Sequence, residues 1–135
     1  MTSRTSNDTG SAVPALDLAR LIARAADDKG GLAVQAFEVS AILSICDVFV
    51  VASAGNTRLV GAIANEIEEV VGVEYGIRPA AVEGLDARRW VLIDYGDVIV
   101  HVFLDEERTF YRLERLYSDA PRIDLDLRTR ELPAS

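Results

Sequence analysis

A chain of 135 residues, half of them hydrophobic, can bury one sizeable core without staples of disulfide or metal. Its formal net charge of -8 opposes attraction to phosphate backbones, which argues against binding naked nucleic acid and favours a basic protein partner. The single cysteine, Cys46, excludes an intramolecular disulfide, and the single histidine, His101, cannot build a metal site alone.

Residues 1–13 are polar and small, so a flexible leader is expected, without the apolar centre of a secretory signal. From Pro14, Leu18, Leu21, Ile22 and Ala25 share one helical face, and Gly30-Gly31 stops the helix. Leu32 to Val39 can form a first strand. Asp47 to Ala52 is a stronger one, because its apolar, β-branched run suits a strand covered on both faces and central to a sheet. The small-residue turn Ser53-Ala54-Gly55-Asn56-Thr57 follows, with Asn56 or Thr57 as candidate cap. Val60, Ile63, Ala64, Ile67, Val70 and Val71 then mark an amphipathic helix that Gly72 to Pro79 interrupts.

Ala80 to Glu83 supplies a short strand before a turn at Gly84-Leu85-Asp86. The runs WVLIDY and DVIVHVF alternate around Tyr95-Gly96-Asp97, as adjacent antiparallel strands do. After Asp105 the spacing of Phe110, Leu113, Leu116 and Tyr117 predicts a docking helix. The expected architecture is an α/β (α+β) domain over residues 14–121, a mixed β-sheet flanked by helices. The tail over 122–135 alternates but has no clear core, and is expected to be mobile. No apolar run approaches the ~20 residues needed to span a bilayer, so a soluble cytoplasmic protein is expected.

Several groups invite chemistry. The SAGNT turn lies between a strand and a helix start, where phosphate can bind, but it lacks the lysine of a P-loop and the glycine spacing of a dinucleotide site. Asp94 and Asp97 could share a divalent cation, yet they flank a hairpin turn where aspartate is favoured for local hydrogen bonding. His101 reads as a packed histidine without an orienting partner, and Cys46 as a small packing residue. No catalytic residue, metal site or cofactor is expected. Trp90 can be a core indole or an interface anchor, since tryptophan carries large apolar area at small rotamer cost.

The chain resembles the ribosomal silencing factor family, known also as RsfS or Iojap-like. The match begins at Ser44-Ile45-Cys46-Asp47-Val48-Phe49-Val50 and continues through Arg58, Val60 and Ala62-Ile63-Ala64. It resumes at Glu83-Gly84, Trp90, Leu92, Asp94 and Gly96 to Phe103, then Arg108, Tyr111, Leu113-Glu114 and Leu116. About residues 15 to 121 are covered, and the GDVIVHVF run followed by R-x-x-Y-x-L-E is highly specific. Ala54, Leu59, Tyr117, Ala33 and Glu38 depart from the usual residues and alter surface details.

The resemblance implies a nucleotidyltransferase-like fold without catalysis. It implies a translational repressor that binds the large ribosomal subunit through large-subunit ribosomal protein fourteen, blocks joining with the small subunit and lowers translation when nutrients are scarce. A surface centred on Trp90, with Glu83, Asp94, Tyr95, Asp97 and Tyr111 as neighbours, is the candidate partner-binding site. The alternatives are a nucleotide-binding or nucleotidyltransferase enzyme, and a homodimeric ribosome-assembly adaptor.

Overall fold

The computed structural model describes residues 13–41, 46–106, 120–125 and 127. Among these residues, five strands form one mixed sheet: β1 (Leu32–Glu38), β2 (Val48–Ala54), β3 (Ala81–Glu83), β4 (Trp90–Asp94) and β5 (Val98–Leu104), in the spatial order β1-β2-β5-β4-β3. Only β2 and β5 run parallel; the other neighbours are antiparallel. Every residue of β2 and β5 is buried, as their continuous apolar runs require. This is the expected mixed α+β sheet, with β2 in its interior.

The two helices among the described residues, α1 (Ala15–Asp28) and α2 (Thr57–Tyr75), cover the same face of the sheet. In α1, Leu18, Ile22 and Ala25 recur at helical spacing, and the alanines Ala19, Ala23 and Ala26 let the helix approach closely. These side chains join Val60, Ile63, Ala64, Ile67 and Val71 of α2 and the inward residues of the strands in one core. Asn56 caps α2, its Oδ1 accepting from the Leu59 amide at 2.8 Å. Asn56→Ala is therefore expected to cost about 1 kcal/mol, measurable by urea denaturation as a shift in midpoint with the slope unchanged.

The helix outruns the expected break at Gly72 and ends only at Gly76, which adopts φ 68 and donates its N–H to the Gly72 carbonyl at 3.0 Å. A left-handed residue closing the last turn is a common helix terminus, and glycine adopts it without strain. Gly72 is simply a helical glycine. Tyr75 and Ile77 pack on the core beyond it and account for the extra turn.

The tail also differs from expectation. Arg122 bridges Phe37 in antiparallel fashion, Glu38 donates its N–H to the Pro121 carbonyl at 2.8 Å, and Ile123 donates to the Ala36 carbonyl at 2.9 Å. Ile123, Leu125 and Leu127 pack against the helix-side core. The described part of a segment expected to be mobile is thus docked on β1, because an edge strand leaves unpaired backbone groups that a neighbouring extended segment can satisfy. Of the helix expected after Asp105, only Asp105 and Glu106 are described, both helical.

Candidate partner-binding face

Residues opposed across a ladder share a face of the sheet. Trp90 opposes Phe103, Leu92 opposes both Glu83 and His101, Asp94 opposes Ile99, and His101 lies beside Val51 of β2. Together with Phe37 and Phe49 they form the face turned away from the helices. Its interior is a second apolar cluster of Phe37, Val39, Cys46, Phe49, Val51, Ile99, Phe103 and Ala120, with Leu92 packed at its side.

Trp90 stands where this cluster reaches the surface, with 36% of its area exposed. Its ring centroid lies 5.0 Å from that of Phe103, tilted by 32°. Its Nε1–H donates to His101 Nδ1 at 3.1 Å. His101 is only 5% exposed, meets Phe49 edge-on at 4.7 Å and stacks with Phe103 at 6.0 Å. The core and anchor readings of Trp90 therefore describe two parts of one side chain: a seat on Phe103 and His101, and a part open to solvent.

Burial holds the imidazole neutral, pushing its pKa down to about 4. Accepting at Nδ1 places the ring proton on Nε2, which is buried and has no hydrogen-bond partner among the described residues. An unfolded imidazole takes up its proton near pH 6.5, the folded one only near 4. Between these values the unfolded state binds more protons, so stability is full above the window and falls as pH falls through it. At pH 5 the loss should be roughly 2 kcal/mol. Denaturant titrations at pH 7 and pH 5 measure it, and His101→Leu should remove this part of the difference.

The structure brings together some of the predicted site residues and separates others. Glu83 and Asp94 share Trp90's face, Glu83 being diagonal to the indole and Asp94 four residues along β4, about 13 Å away. Asp94 Oδ1 accepts the Gly96 amide at 2.8 Å, which is the local turn role its position suggests. Asp97 is exposed in the same turn, at the far end of the hairpin from Trp90, and its carbonyl accepts from the Asp47 and Val48 amides.

Tyr95 has to be corrected as a neighbour of Trp90. By strand parity it continues Val91 and Ile93 onto the helix side, where it packs against the core. Its hydroxyl is buried with no hydrogen-bond partner among the described residues, and burial, then the Glu68 carboxylate, push its pKa up to about 12. Tyr111 lies outside the described residues.

Other candidate chemistry takes structural roles. Cys46 is buried, and its thiol is pushed up to about 11 by burial first and then by Asp47, Asp94 and Asp97, which keeps it protonated and unreactive near neutrality. The SAGNT turn is a strand-to-helix connection whose cap is its own Asn56. The contact that sequence reasoning missed is Trp90 with His101. It could have been found by counting out from the Tyr95-Gly96-Asp97 turn, which sets Trp90 opposite Phe103 and diagonal to His101.

Gly84 was also underweighted. It turns the chain out of β3 with φ 90, directly against the Trp90 backbone. A methyl group there would overlap the Trp90 carbonyl oxygen and lie 3.3 Å from Val91 Cα.

A mixed five-stranded sheet with both described helices on one side, leaving an aromatic face with a half-seated tryptophan, is an architecture with known relatives. The chain matches the family model for "Ribosomal silencing factor during starvation" over residues 12–135. It is 42% identical over 107 residues to ribosomal silencing factor RsfS of Bacillus subtilis, covering 79% of this chain and 90% of that protein. A crystal structure of a Chromobacterium violaceum protein superposes with TM-score 0.75 at 30% identity, covering 78% of this chain and 88% of that one. A shorter match, 31% identical over 74 residues, covers 53% of this chain and 32% of the mouse protein named mitochondrial assembly of ribosomal large subunit protein 1. The chain belongs to the ribosomal silencing factor family. No described helix is long and apolar enough to cross a membrane.

Proposed function

We propose that this chain is a cytoplasmic translational repressor that binds the large ribosomal subunit through large-subunit ribosomal protein fourteen and sterically prevents joining with the small subunit. The observation that carries this reading is Trp90, anchored from below by Phe103 and His101, exposed above, and sharing its face with Glu83 and Asp94. A rigid aromatic anchor on a face that also carries carboxylates suits a basic protein patch. The net charge of -8 would repel the surrounding RNA and steer the chain toward such a patch. The mouse relative's name, which joins that protein to the large subunit, points to the same particle.

Occupying a joining face needs no turnover, so binding alone supplies the activity. Purified protein should cosediment with isolated large subunits and not with small ones, and should lower the yield of joined ribosomes when the two are mixed. Failure to retain large subunits, or joining that proceeds unchanged at saturating protein, would overturn this reading.

A further inference from the structure

We propose that His101 is a positioning residue, holding the Trp90 indole in a single orientation on the sheet so that the ring meets the partner already ordered. This rests on the reading of Trp90 as the partner contact. The tilted contact with Phe103 restrains the plane of the indole but does not by itself set which way its five-membered ring points, since a half-turn about the Cβ–Cγ bond keeps the same ring plane. A hydrogen bond from Nε1 to a fixed acceptor selects one of these orientations.

His101 is such an acceptor. It lies on β5, between β2 and β4, and is wedged between Phe49 and Phe103. A leucine would pack in the same place without a buried polar atom, and burying Nε2–H with no partner among the described residues costs stability. The return on that cost is visible at Nδ1, which serves the indole. Burial also keeps the ring in the neutral form that can accept. Ordering a large side chain before contact spares that entropy at the moment of binding, an effect of about threefold to tenfold in affinity.

The chain has one tryptophan and one histidine, so each gives a single, unambiguous NMR signal. In the ¹⁵N-labelled full chain, the indole N–H should be as ordered as the β4 backbone and slow to exchange, and the imidazole should show the Nε2–H tautomer. His101→Leu should remain folded by its backbone spectrum, yet its indole should become mobile and exchange at least about tenfold faster, and large-subunit affinity should fall about threefold to tenfold. His101→Asn, whose Oδ1 can stand in for Nδ1, should restore both.

An indole equally ordered in His101→Leu, or an imidazole protonated at Nδ1, overturns the assignment. So does a loosened indole with unchanged affinity in a protein whose Trp90→Ala variant binds weakly. If Trp90→Ala itself binds normally, the contact reading fails and takes the positioning role with it, while the indole measurements still decide whether the hydrogen bond orders the ring.

Discussion

Replacing Trp90 with alanine is expected to weaken association with the large ribosomal subunit by about a hundredfold, equivalent to about 2.7 kcal/mol, while the chain stays folded. The magnitude follows from the ring's placement. Its seat on Phe103 and its hydrogen bond to His101 keep the anchor ordered, and its exposed edge is available to a partner pocket. Interfaces concentrate their energy in such anchors, and truncating one also leaves the partner's pocket unfilled. The fold should survive, because Trp90 begins a strand at the margin of the second cluster, whereas Val91 and Ile93 carry β4's share of the main core. Cosedimentation at increasing ribosome concentration, with circular dichroism of the same preparation, separates the outcomes. Unchanged binding would remove Trp90 from the interface; collapse of the fold would make it a core residue.

Gly84→Ala should act on the same strand through the backbone, costing about 4 kcal/mol of stability. A positive φ strains any residue with a Cβ, and here that Cβ also collides with the Trp90 carbonyl. Gly76 provides the control. It too has positive φ, but nothing lies within 4 Å of the added methyl, so Gly76→Ala should cost only about 1 kcal/mol. Urea denaturation of both variants tests the contrast. Equal losses would mean that φ alone matters and that the chain at Gly84 can move away from β4. If β4 shifts to relieve the overlap, Trp90 shifts with it, and Gly84→Ala should also lower ribosome affinity among molecules that remain folded.

Much of this domain was legible in the sequence because its signals are local. Alternation on either side of Tyr95-Gly96-Asp97 gave the hairpin, the unbroken VFVVA run gave a strand buried on both sides, and Asn56 before an amphipathic stretch gave a capped helix. Misreadings arose where the answer depends on a partner distant in sequence. Gly72 resembles a stop until Tyr75 and Ile77 are seen to have a core to reach. The residues after Pro121 look unattached until β1 proves to be an edge strand with backbone groups to satisfy.

The candidate site divides along the same line. Trp90 was recognisable as either a core indole or an interface anchor, but its connection to His101 exists only in the hairpin's register. Tyr95 was placed beside Trp90 by proximity along the chain, although odd and even positions of a strand look in opposite directions. Proximity in sequence also grouped Asp97 with Trp90, and the length of β4 separates them. The resemblance to the silencing factors identified the family but carried no such directional information.

The docked segment after Pro121 has a consequence for how the molecule behaves among its own copies. A β-sheet can be extended by another chain only from an open border, and long, flat borders seed lateral growth. Here the Ala36–Glu38 part of the β1 border is occupied by residues 121–123 of the same molecule. Among the described residues, that leaves β3 as the other border, only three residues long, about 10 Å of backbone. An incoming strand would find few hydrogen bonds there. Trimming the chain before Pro121 would expose this part of β1 as a template and make the sheet prone to pair edge to edge.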